Sequence, residues 1–138
     1  YGIIGNNQVT DAWFDEGAAT FFERLYFAGD NISKVFSDSY DSHSYIDELL
    51  LYSGPVLESS YAKSDTKSRL YYRYAYDYAS VMYTEIYMAL GRNRFTELMH
   101  DFYNDFKFGI VTKSDFINTC YRIDKENMEK ILSRYFDN

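Results

Sequence analysis

The chain is poor in the residues that punctuate or crosslink small proteins. It has one cysteine, Cys120, one proline, Pro55, and seven glycines among 138 residues. A single cysteine rules out an intrachain disulfide and any zinc site built on cysteines, and it does not settle the compartment. No stretch approaches the ~18 consecutive apolar residues of a membrane span, and no signal peptide is visible, since Tyr1 stands at the start of a structured-looking segment. With no initiator methionine either, the chain reads as a fragment. Its two histidines, His43 and His100, lie far apart, and ordinary surface or half-buried roles fit them better than catalysis. There is no HExxH, no phosphate-cradling glycine loop and no Gly-x-Ser-x-Gly elbow.

Basic charge is also in short supply. The formal net charge of −7 disfavours nucleic acid and anionic membrane surfaces as partners. It suits a cationic ligand such as a peptide amino terminus, although a solvated acidic surface that keeps the protein soluble explains it as well. What is abundant is aromatic character: 16 Tyr and 11 Phe help to bring hydrophobic residues to 46%. Such a composition affords a core and argues against disorder. Tyrosines, with apolar bodies and polar tips, suit a core that borders a wet cleft.

Helical periodicity covers most of the chain, and no period-2 alternation lasts long enough to define a strand. A first helix is expected from Asp11 to about Ala28, capped by Thr10 or Asp11 and ended by Gly29-Asp30. Phe14, Ala18, Phe21, Leu25 and Ala28 form its apolar stripe. Glu16, Thr20, Glu23 and Phe27 lie along another, so two carboxylates point off one side. A second helical region spans Asn31 to Tyr52, with a break near Ser39–Ser42 and a capping-box pattern at Ser44 and Asp47. Ser53-Gly54-Pro55 opens a polar loop to about Thr66. A long tyrosine-rich helix then runs to Gly91, and Asn93 caps a fourth with Phe95, Leu98, Met99, Phe102 and Phe106 inward. Phe108-Gly109 breaks it, Thr112 and Asp115 cap a short helix, and Asp124 opens the last, with Met128, Ile131, Leu132 and Tyr135 on one face. The reading is one all-α domain over residues 1–138.

The informative segment is Trp13-Phe14-Asp15-Glu16-Gly17-Ala18-Ala19-Thr20-Phe21-Phe22-Glu23. It resembles the W-L-N-E-G-F-A-x-Y-x-E motif of the gluzincin aminopeptidases, peptidase family M1. Trp13, Glu16, Gly17, Ala19 and Glu23 match outright. Phe21 stands for another aromatic, Asp15 for the usual Asn, and Ala18 for a larger aromatic. The resemblance implies a fold, the helical lobe of a thermolysin-like zinc peptidase catalytic domain. It implies a cofactor, zinc, and a role for Glu16 as the third protein ligand. Glu23, two turns on, faces the same way and would help orient the ligands. A hydrolytic zinc takes three such ligands and keeps one position open for water.

Other segments extend the resemblance. In the family the HExxH histidines precede this Glu by a fixed interval, which puts the second of them about four residues before Tyr1. Tyr1-Gly2-Ile3-Ile4-Gly5-Asn6 resembles the stretch after that histidine in bacterial members. Tyr76-Asp77-Tyr78-Ala79-Ser80 aligns with the family's Y-x-K-G-A, whose tyrosine hydrogen-bonds the oxyanion formed when water attacks the peptide carbonyl. That position falls to Tyr76, with Tyr72, Tyr74 and Tyr78 as neighbouring candidates, and the usual Lys and Gly are replaced by Tyr78 and Ala79. A weaker echo runs from Gly91 to Phe116 and carries no chemistry.

The function so implied is zinc-dependent hydrolysis of amino-terminal residues from peptides. The HExxH histidines, the general-base glutamate and the G-x-M-E-N-type motif that grips the substrate's amino terminus would all lie outside these residues. The 138 residues alone would then be inactive, hold no zinc, and tend to self-associate through a surface meant to face the missing half. Membrane-associated or extracellular placement is slightly favoured over cytoplasmic. The rival reading is a non-catalytic scaffold or partner-binding module derived from a peptidase domain. An aromatic carbohydrate or nucleic-acid binder is opposed by the acidic charge and the helical pattern.

Overall fold

In the computed structural model, residues 3–7, 11–43 and 72–136 are described. Among them the chain is a helical lobe: β1 (Gly5–Asn6), α1 (Ala12–Phe27), α2 (Ile32–His43), a π-helical segment (Arg73–Tyr78), α3 (Ala79–Phe106), β2 (Ile110–Val111) and α4 (Lys113–Leu132). The polar loop after Pro55, the Ser44–Asp47 cap, the far end of the second helical region and the Thr10 cap lie outside the described residues. No helix among the described residues is long and apolar enough to cross a membrane.

Helix α1 runs between the expected ends. Asp11 is the N-cap by position, without a side-chain capping bond, and its carbonyl accepts from the Phe14 N–H at 3.0 Å. At the other end Gly29 (φ 60°) and Asp30 (φ 61°) turn left-handed. The Asp30 N–H reaches the Leu25 carbonyl and the Gly29 N–H the Tyr26 carbonyl, both at 3.0 Å. This is the Schellman closure, which satisfies carbonyls that the helix itself leaves orphaned. The buried face is wider than the expected stripe: Ala12, Trp13, Phe14, Gly17, Phe21 and Leu25 are buried, while Ala18 and Ala28 are only half-buried.

The first half of α3 is the central element. Val81, Met82, Tyr83, Thr84 and Ile86 are all buried, so this stretch is enclosed on nearly every side, as a core helix must be. The Tyr83 hydroxyl donates to the Phe14 carbonyl at 3.0 Å and ties α3 to α1. Gly91 (φ 71°, ψ 167°) interrupts α3 at the expected break. Beyond it Phe95, Leu98 and Phe102 turn inward. Trp13, Phe14, Phe102 and Phe116 meet in edge-on and tilted ring contacts, with Trp13 and Phe116 at 5.4 Å and Phe14 and Phe102 at 4.8 Å.

The short helix that Thr112 opens, with its full capping box, gives way to the last helix at Asp124 (φ −159°, ψ 87°), as expected, the two lying end to end within α4. Asp124 caps the second half of α4, accepting from the Asn127 N–H at 3.2 Å. Two details depart from the expectations. Helix α2 continues without a break through Ser39–Ser42 to His43. Two strands of two residues also exist and pair in parallel, Gly5 with Ile110 and Asn6 with Val111. Two residues cannot establish a period-2 pattern, so periodicity could not reveal them. Phe108, at φ 67°, turns the chain into this pairing and donates its N–H to the Ile3 carbonyl at 2.5 Å.

Candidate functional site

Glu16 sits in the first turns of α1, half-buried, and Glu23 is exposed further along the same side. The start of the helix is held from outside. Asn6 in β1 donates its side-chain amide to the Asp11 carbonyl at 2.7 Å and to the Asp15 carboxylate at 3.1 Å. The same Asp15 oxygen accepts from the Glu16 backbone N–H at 3.0 Å. A carboxylate at this place also complements the positive end of the helix dipole. Asp15, where the family motif has Asn, thus fixes the backbone that carries Glu16.

Gly17 explains its own presence. A β-carbon at residue 17 would lie 2.3 Å from the Ala79 β-carbon, so only glycine lets α1 meet the start of α3 this closely. Ala79 stands where the family pattern has Gly, and this contact uses up the space that residue 17 leaves free. Glu16 is one residue from this closest approach and Tyr76 is three. A second fastening lies two turns along α1. Arg24 donates to the Asp77 carboxylate and to the Ser80 hydroxyl, each at 2.6 Å.

Tyr76 belongs to the π-helical segment and is half-buried, its ring 5.7 Å from that of Tyr72. Of the alternatives, Tyr74 and Tyr78 are buried. The Tyr78 hydroxyl donates to the Arg134 carbonyl at 2.9 Å, and its ring packs 4.7 Å from Tyr135. Burial, with Tyr74 and Glu85 nearby, pushes its pKa up to about 12. A residue at the place of the family's lysine has therefore become a neutral core member. Tyr135 donates to Glu85 at 2.8 Å and Arg134 reaches the same oxygen at 2.7 Å. The end of α4 is thereby bound to α3. A small apolar cleft lined by Trp13, Tyr74, Tyr78, Met82, Tyr135 and Phe136 includes neither Glu16 nor Tyr76.

Of the histidines, His43 is the last residue of α2. His100 is exposed in the second half of α3, 3.2 Å from the Asn104 amide and 4.0 Å from Asp101. Among the described residues no three His, Cys, Asp or Glu side chains come together as a metal-binding group. The described residues thus do not complete a zinc site, and Glu16 can be no more than one ligand of it. Residues that motif reading did not single out are Asn6, Arg24, Asp77 and Ser80. One signal was available for Arg24: it lies seven positions after Gly17, hence on the same face of the helix.

The described residues thus form a helical lobe in which the carboxylate-bearing α1 packs against the start of α3, directly after the tyrosine-bearing π-helical segment. The model of the Peptidase family M1 domain matches residues 2–135. The chain belongs to peptidase family M1, a family of metallopeptidases that are hydrolases and generally zinc-dependent. No curated protein and no solved structure matches it.

Proposed function

We propose that the complete protein is a zinc-dependent aminopeptidase, that Glu16 is its third protein ligand to zinc, and that Tyr76 hydrogen-bonds the oxyanion. The observation that carries this reading is the Gly17–Ala79 approach, which puts the helices bearing Glu16 and Tyr76 in direct contact. The half-burial of both side chains adds support: such groups keep a fixed backbone yet remain reachable by substrate. The burial of Tyr74 and Tyr78 favours Tyr76 over those two neighbours.

When bound, zinc supplies a polarised water as nucleophile at neutral pH. Glu16 offers its carboxylate from a helix start braced by Asn6 and Asp15. Glu23, two turns further along the same side, would help to orient the ligands. The Tyr76 hydroxyl donates where negative charge develops on the scissile carbonyl oxygen, an interaction stronger in the transition state than in the ground state. The proton-accepting glutamate and the histidines come from HExxH outside these 138 residues, and without them the piece is inactive. The substrate is a peptide, whose cationic amino terminus an acidic protein attracts.

The test is zinc content and hydrolysis of an alanine or leucine anilide by the complete gene product and its Glu16→Gln variant. Stoichiometric zinc and activity, both lost in the variant, are expected. A folded protein with neither would leave a non-catalytic scaffold derived from a peptidase domain.

A further inference from the structure

Gly17 and Arg24 are seven residues apart on α1, two turns, and so share one face. Gly17 meets Ala79. Arg24 spans Asp77 and Ser80 at 2.6 Å each, and the Ser80 hydroxyl in turn donates to the Asp77 carbonyl at 2.9 Å. The guanidinium therefore grips the chain on both sides of the junction where the π-helical segment Arg73–Tyr78 gives way to α3. Two donors in a rigid fork fix direction as well as distance. The Arg24 side chain is 24% exposed and that of Asp77 41%, so the pair stands at the solvent edge and acts through its geometry more than through buried charge.

The π-helical turn is a rare backbone geometry, and it recurs at functional sites. Asp77 comes directly after Tyr76 within it. Holding residue 77 from α1 sets the backbone from which the Tyr76 side chain departs, and the holding group stands on the helix that carries Glu16.

We propose that Arg24 and Asp77 are a positioning pair, setting the direction of the Tyr76 hydroxyl relative to the Glu16 carboxylate. This rests on the roles given to Tyr76 and Glu16 above. Neither residue of the pair touches substrate; both act through the π-helical turn.

The test uses the complete gene product, with anilide hydrolysis and bound zinc measured for Asp77→Asn, Tyr76→Phe and the two combined. Asp77→Asn is expected to lower kcat roughly ten- to a hundred-fold, the scale of a small misplacement of a reacting group. KM and zinc should stay near their wild-type values. In the Tyr76→Phe background the same substitution should have almost no further effect on kcat, because nothing is left to aim. The swapped pair Arg24→Asp/Asp77→Arg should recover part of the loss. An unchanged kcat in Asp77→Asn overturns the proposal while the reading of Tyr76 stands. An equal loss in both backgrounds also overturns it, since that marks a purely structural role. Wild-type kcat in Tyr76→Phe removes the role of Tyr76 itself, and the pair's role with it.

Discussion

Gly17 and Ala79 are packed so closely that one added β-carbon would fall 2.3 Å from its neighbour. Gly17→Ala should therefore destabilise the protein. Ala gains up to about 1 kcal/mol over Gly in helix propensity, but overpacking at a contact with no room costs roughly 1–3 kcal/mol. The net expectation is a lower urea midpoint with an unchanged slope. A higher midpoint would show that the two helices part without cost.

Tyr83→Phe removes one hydroxyl from a fully buried site and leaves the ring stacking on Phe21 in place. The lost hydrogen bond to the Phe14 carbonyl should cost about 1 kcal/mol, read as a shift in the urea midpoint. Zinc content of the complete protein should not change, because Tyr83 reaches only backbone.

Alkaline pH should weaken the fold. Burial raises the pKa of Tyr78 from 10.0 to about 12, with Tyr74 and Glu85 adding to it, and burial raises Tyr83 too. A folded pKa above the unfolded one means that the folded state holds the proton more tightly. The associated stability is complete below pH 10 and is lost as pH rises towards 12. Melting temperature should fall through that window, and less steeply in Tyr78→Phe.

Cys120 is buried, and burial pushes its thiol up to about 12. Since the thiolate is the reactive form, a thiol reagent at pH 8 should label the folded protein very slowly and the urea-unfolded protein at once. Fast labelling of folded protein would place this side chain at the surface.

Thr112→Ala should loosen the start of α4. Its hydroxyl caps the Asp115 N–H, and the Asp115 carboxylate returns to the Thr112 N–H at 2.9 Å. Loss of such a cap costs about 1 kcal/mol, measurable as faster amide exchange in the first turn of α4.

Much of this architecture was legible in residue order because it is local. Gly29-Asp30, Gly91, the Thr112–Asp115 pair and Asp124 act through their own backbone or through neighbours three residues away. Helix ends were accordingly placed within a residue or two. The Trp13–Glu23 motif was likewise legible, since its spacing is a property of one helix, and the family match over residues 2–135 agrees with it. The continuity of α2 was misjudged because serines suit both turns and helix interiors, and packing decides between them.

Tertiary structure decided what depends on pairs distant in sequence. The parallel pairing of Gly5 with Ile110 joins residues 105 positions apart, and no pattern in either segment specifies the other. The same holds for Gly17 against Ala79 and Arg24 against Asp77. Sequence by itself determined a helical chain with a carboxylate at a family ligand position. Only the packed structure decided that Tyr78 lies in the core, that Tyr76 stays within reach of solvent, and that the helix of Glu16 grips the turn of Tyr76. These outcomes depend on which side chains find room and partners once the helices meet, and that is a property of the assembled core.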